Sequence, residues 1–236
     1  MMQPTTTELH RLYEENGYAL IKGVFSPEEV EEIRRNVTRY DKHVRPALPQ
    51  EWARYESNGS TRGLYFLEQV DPFFQRLAQR PELQRIANEA TGEPAEFWAV
   101  ETFHKQPRVG SAALPHQDGI YYVGKELHAV NMWLSIDAAR SDNGALFYWP
   151  GTHRNGIFPH VPTPDDDGLQ WIADAYEQFG EPVLVETDPG DVLIHHEWSV
   201  HGSAANESDR GRLAIVIAWT LPGTDSALFS PGASAV

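Results

Sequence analysis

Two hydrophobic rhythms divide the chain near residue 93. Before it, apolar positions recur at helical spacing. Leu83, Ile86, Ala87 and Ala90 fall at i, i+3, i+4 and i+7, and Gly92 stands where a helix C-terminus closes. Ser26-Pro27-Glu28-Glu29 reads as a capping box, with a helix following to about residue 40. Asp71-Pro72 and Arg80-Pro81 mark two further helix starts. An earlier helix, capped by Thr6 or Thr7, ends before Gly17, and 18–24 reads as a strand. The stretch 41–63 carries few periodic cues and reads as a long loop folded over something else.

After Glu93 the period drops to two. Val130, Met132, Leu134 and Ile136 alternate with Asn131, Trp133, Ser135 and Asp137. Asn143-Gly144 and Pro150-Gly151 are turn signals around a strand at 145–149. Strands are expected at 182–186 and 192–195, joined by the turn Asp188-Pro189-Gly190-Asp191. The run 213–220 is nearly continuous in apolar residues, with β-branched Ile215, Val216 and Ile217, as suits a strand buried on both faces. Many short strands between Gly/Pro turns point to a mainly β sandwich or jelly roll carrying N-terminal helices. A single domain, 1–236, accommodates this: 1–92 as mostly helical support and loop, 93–220 as the β core. The segment 153–180 interrupts the rhythm as a lid-like insertion, with a possible helix near 171–179.

Composition narrows the functional classes. Of 236 residues, 41% are hydrophobic and 22% charged, which places the chain among ordinary globular proteins. The apolar run 213–219 is too short to span a bilayer, and MMQPTTTELH lacks the layout of a secretory signal. A cytoplasmic location is the expectation. Cysteine is absent, which removes disulfides, thiolate zinc sites, iron–sulfur clusters and a Cys nucleophile together. A net charge of −15 keeps the chain soluble and repels phosphate backbones, so neither nucleic acid nor a membrane is an expected partner. No Gly-x-Ser-x-Gly elbow or phosphate-cradling loop occurs.

The chemistry lies in the histidines. His116-Gln117-Asp118 sets an imidazole and a carboxylate on one side of an extended segment. His201 follows on a later strand. An HxD pair alone arises often by chance, but two imidazoles and one carboxylate can take one face of an octahedron and leave the other open, as in non-haem Fe(II) oxygenases. Arg212 opens the last apolar strand, and a buried guanidinium there needs an anion. A ligand carboxylate would satisfy it in a bidentate fork, with Ser203, on the His201 face, adding a hydroxyl. Arg210 is the rival clamp. His195 and His196 are rival ligands, although a strand-end His is more often structural, and His153 suits a turn hydrogen bond better. Tyr121 and Tyr122 are candidate substrate contacts or ordinary packing. Whether Glu101 or Thr102 faces inward cannot be fixed from parity, nor whether Lys105 reaches a pocket. Asp165–Asp167 lacks the spacing of a calcium loop.

These residues fall in ordered motifs: Lys105-x-Pro107, Pro115-His116-Gln117-Asp118-Gly119, Asn131-Met132-Trp133-Leu134, Asn143-Gly144-Ala145-Leu146, Trp149-Pro150-Gly151-Thr152-His153, Gly190-Asp191-Val192, and His201-Gly202-Ser203-x-x-Asn206-x-Ser208 with Arg212. Together they resemble the phytanoyl-CoA dioxygenase (PhyH) family, loosely over 10–220 and motif by motif over 98–219. The resemblance implies a double-stranded β-helix of cupin type with helices packed on one sheet. It implies Fe(II) as cofactor, 2-oxoglutarate as co-substrate, consumption of O2, and release of succinate and CO2. His116, Asp118 and His201 match the metal ligands, Arg212 the grip on the distal carboxylate of 2-oxoglutarate, and Ser203 and Trp133 its pocket lining. Related halogenases replace the carboxylate with a small residue, so intact Asp118 favours hydroxylation. The substrate is expected to be a small metabolite or biosynthetic intermediate, with 41–63 and 153–180 as lids. The alternatives are a non-redox metal-binding cupin acting as an isomerase or hydrolase, and a non-catalytic small-molecule-binding module on the same fold.

Overall fold

The nearly continuous apolar run near the C-terminus becomes the central strand. The computed structural model describes residues 6–122, 128–164 and 168–222. Its strands are β1 (Tyr18–Ile21), β2 (Ala53–Tyr55), β3 (Thr61–Leu64), β4 (Glu96–Lys105), β5 (Ala113–His116), β6 (Ala129–Ser135) and β7 (Leu146–Tyr148). These are followed by β8 (Val161–Pro162), β9 (Gln170–Trp171), β10 (Val183–Val185), β11 (Val192–His196), β12 (His201–Ser203) and β13 (Arg212–Thr220). A large antiparallel sheet runs β1-β11-β6-β13-β4-β3-β2, and a smaller one β10-β7-β12-β5 faces it. The two sheets form a double-stranded β-helix.

Burial on both faces explains why β6 and β13 lack a clean polar side. Met132, Leu134, Ile215 and Ile217 pack outward against helix residues Leu9, Val30, Ile33, Leu83 and Ile86. Trp133, Leu193, Ala214 and Val216 pack inward against Leu146 and Tyr148 of the small sheet. The helices are α1 (Thr6–Asn16), α2 (Pro27–Arg39), α3 (Leu67–Val70), α4 (Pro72–Ala78), α5 (Pro81–Thr91) and α6 (Ala175–Phe179). Ser26 Oγ accepts from the Glu29 backbone N–H at 3.3 Å, and the Glu29 carboxylate accepts from the Ser26 N–H at 2.8 Å. Asp71 caps α4, and Gly92 closes α5 in the left-handed region at φ 75°. No helix among the described residues is long and apolar enough to cross a membrane.

Two expectations change. The stretch 41–63 is not a plain loop: Tyr40–Val44 forms a π-helical turn, and β2 and β3 form a hairpin on the edge of the large sheet. Strands of three and four residues offer too few alternations to show a period. The helix near 171–179 shortens to α6, because Trp171 pairs with Val161 in a two-stranded ribbon. Asp165–Asp167 lies outside the described residues.

Gly190 shows how tightly the first strand is tied in. Its carbonyl accepts from the Val24 and Phe25 N–H groups, and its own N–H donates to the Ser135 carbonyl at 2.8 Å. Its φ is +89°, and a Cβ there would lie 2.3 Å from the Phe25 carbonyl oxygen. Gly190→Ala is therefore expected to cost about 2 kcal/mol or more. A lower urea midpoint at unchanged slope would register it, and an unchanged midpoint would contradict it.

Candidate metal centre

β5 and β12 are antiparallel neighbours in the small sheet, with His116 directly opposite His201. Their ring centroids are 4.4 Å apart. Asp118 comes two residues after the end of β5, at the start of the short 3-10 helix Asp118–Tyr122, and its carboxylate lies near both rings. One ligand atom from each of His116, Asp118 and His201 lies within 4.8 Å of the others. Asp118 Oδ1 is 3.5 Å from His116 Nε2 and 3.7 Å from His201 Nε2.

Backbone carbonyls fix the tautomers. His116 Nδ1–H donates to the Leu114 carbonyl at 2.7 Å, and His201 Nδ1–H to the Ser199 carbonyl at 3.0 Å. A carbonyl only accepts, so each ring donates from Nδ1 and turns Nε2 toward the common centre, the atom a metal would take. Burial pushes His201 down to about 3; the Asp118 carboxylate opposes this, and His116 and His201's other neighbour His195 add to it. Burial alone would raise Asp118, but His201, His116 and His195 outweigh it and hold the carboxyl well below its usual range. Neutral imidazoles and an anionic carboxylate are the states a divalent metal takes.

The middle residue of the motif faces away. Gln117 is fully buried; its amide donates to the carbonyls of Gly156 and Trp198, and its Oε1 accepts from the Phe158 N–H. The Gln117 N–H donates to His160 Nε2 at 3.1 Å, and the Ile172 N–H to the Pro115 carbonyl at 2.8 Å. The 153–180 insertion is thus bound to the strand that carries the candidate ligands.

Arg212 opens β13 opposite Lys105 and is 4% exposed. Its guanidinium carbon sits 4.5 Å from the centre of the Trp133 ring, and its Nε and Nη1 have no hydrogen-bond partner. Burial pulls this guanidinium down to about 9, with the Asp137 carboxylate opposing. Trp133 clusters with Tyr148, which stacks on His201 at 5.6 Å between centroids. The guanidinium and the triad therefore share one barrel interior. Ser203 is buried on the same strand as His201. Arg210 lies before the strand begins, exposed and paired with Asp142 at 2.7 Å, so it does not point the same way as Arg212.

The open parities resolve. Glu101 lies opposite the inward-packed Val216 and so faces the barrel interior. Burial, then the charges of Asp118 and Glu68, push its carboxyl up to about 8 against the pull of Arg54. Thr102 faces the helices and bonds His104 at 2.9 Å. Lys105 is buried with its ammonium on the Ser111 carbonyl. The Tyr121 hydroxyl accepts from the Gln170 N–H at 3.3 Å, while the Tyr122 side chain lies outside the described residues. His153 bonds the Glu14 carbonyl, and His196 accepts from the Trp198 N–H, both away from the triad. His195 and Asn131 contact Asp118 itself. Sequence reasoning weighed His195 only as a rival ligand and did not single out Asn131. An inward polar residue beside Trp133 on β6 was the available signal.

The profile described as "Phytanoyl-CoA dioxygenase (PhyH)" matches residues 13–214. A Caenorhabditis briggsae relative, "Phytanoyl-CoA dioxygenase domain-containing protein 1 homolog", is 25% identical over 89% of each chain. Among solved structures, the "non-heme alpha ketoglutarate dependent carbocyclase SnoK from nogalamycin biosynthesis" has a TM-score of 0.73 at 25% identity, covering 98% of this chain and 95% of its own. The epimerase SnoN, solved "in complex with Fe3+, alpha ketoglutarate and nogalamycin RO", has a TM-score of 0.74 at 22% identity, covering 96% and 90%.

Proposed function

The chain belongs to the phytanoyl-CoA dioxygenase family, and from that premise we propose an Fe(II)- and 2-oxoglutarate-dependent dioxygenase that hydroxylates a C–H bond of a small-molecule metabolite or biosynthetic intermediate. One observation carries the reading. A buried guanidinium with two unpaired nitrogens shares a barrel interior with a two-histidine, one-carboxylate cluster. The cluster alone fits several metal proteins. The guanidinium adds the demand for an anion, because an unpaired buried charge is costly. That demand separates this reading from a non-redox cupin.

His116, Asp118 and His201 would hold Fe(II) and leave room for a chelating co-substrate and O2. Arg212 would grip the distal carboxylate of 2-oxoglutarate in a bidentate fork, with the Ser203 hydroxyl beside it and Trp133 lining its pocket. A metal held there would, with 2-oxoglutarate and O2, supply the oxidation, with succinate and CO2 as co-products. Tyr121 would contact the substrate, and inward-facing Glu101 offers a hydrogen-bonding carboxyl near Asp118. The intact Asp118 carboxylate supports hydroxylation over halogenation. Likeness to an epimerase and a carbocyclase supports a second outcome, oxidation without oxygen insertion.

Anaerobic addition of Fe(II) and 2-oxoglutarate is expected to give a visible charge-transfer band. Absence of any band would count against the class. With a turned-over substrate, 18O2 is expected to place one labelled oxygen in the product. A product free of label would replace hydroxylation with stereoinversion or ring closure.

A further inference from the structure

We infer that Asn131 and His195 are positioning residues that hold Asp118 as a one-oxygen metal ligand; this rests on the metal-binding reading above. The two carboxylate oxygens have divided surroundings. Oδ1 faces the Nε2 atoms of His116 and His201. Oδ2 is engaged by the Asn131 side-chain amide at 2.5 Å and by His195 Nε2 at 3.0 Å. An ionised carboxylate only accepts, so both neighbours donate, which sets the Asn131 amide orientation and places the His195 proton on Nε2.

The rest of the chain of contacts agrees. With Nε2 as the donor to Asp118, His195 turns Nδ1 toward the buried Tyr148 hydroxyl, 3.0 Å away. Tyr148 is held in turn by its stack on Tyr18, 4.3 Å between centroids. Asn131 and His195 are directly opposed on neighbouring strands β6 and β11. On its other side Asn131 faces Ala218 of β13, too small to compete for the carboxylate. The two histidines of the triad come from the small sheet, whereas both donors to Oδ2 come from the large one. Asp118 is therefore gripped across the barrel, with Oδ1 as the oxygen offered to a metal.

The test uses the full chain stripped of metal and titrated with Mn(II) by electron paramagnetic resonance, with Co(II) absorption as a second readout. Asn131→Ala and His195→Leu are expected to weaken Mn(II) binding about 10- to 100-fold and to alter the Co(II) spectrum. His195→Gln, which keeps an N–H donor, is expected to recover most of both. Thermal melts confirm that each variant is folded, and if His195→Leu is not, Asn131→Ala reads the same oxygen. Wild-type affinity in the folded variants, or equal loss in His195→Leu and His195→Gln, would overturn the inference while leaving the metal site standing. Asp118→Ala separates the two levels: if it binds Mn(II) as well as wild type, the metal-site reading fails and this inference with it.

Discussion

His116→Ala is expected to abolish succinate release from 2-oxoglutarate and to cost more metal affinity than the roughly 100-fold upper range for hydrogen-bond partners of ligands. The reason is geometric. His116 sits opposite His201 in the strand ladder, with both Nε2 atoms aimed at Asp118 Oδ1. Removing one imidazole leaves a two-ligand remnant, and no described side chain that contacts Asp118 is free to replace it. His195 is the nearest substitute in kind, but its Nε2–H is committed to Oδ2 and its Nδ1 to Tyr148. The check is metal content and Mn(II) affinity beside succinate release. Retained metal with retained turnover would remove His116 from the ligand set.

Arg212→Ala is expected to act on a different quantity. Truncating one partner of a buried, hydrogen-bonded charge pair costs about 2–5 kcal/mol, roughly 30- to 4,000-fold in affinity. The loss should fall on 2-oxoglutarate binding to the metal-loaded protein, with metal affinity itself close to wild type. Arg212→Lys should recover only part, since an ammonium keeps the charge and loses the planar fork. Calorimetry without O2 separates the two affinities. An unchanged 2-oxoglutarate affinity in Arg212→Ala would end its role as the clamp, and exposed Arg210, paired with Asp142, is poorly placed to inherit it.

What could be read from the sequence follows the length and polarity of each element. α5 was legible because four apolar residues and a terminal glycine agree, and all four side chains are buried. β6 was legible because Val130, Met132 and Leu134 recur at period two with Asn131 and Ser135 between them, although Trp133 breaks the polar side and both faces are buried. The triad could be singled out because the motifs around it follow one another in order along the chain. β4 resisted for a physical reason. Polar Thr102 faces the helices and apolar Phe103 faces the barrel, the reverse of the usual assignment, so Glu101 could not be placed. The β2–β3 hairpin was missed because its pairing is set by the edge of β4 rather than by its own pattern. The contacts of Asn131 and His195 with Asp118 depend on how two sheets meet, which no local window contains.

The direct opposition of His116 and His201 has a consequence for how such a scaffold can diversify. Chelation geometry is written into one rung between two adjacent strands. The 153–180 insertion between them carries a ribbon and a short helix that belong to neither main sheet, so its length and sequence can change while that rung stays paired. Specificity can therefore drift while the oxidising apparatus stays constant, as long as neither strand slips by a residue.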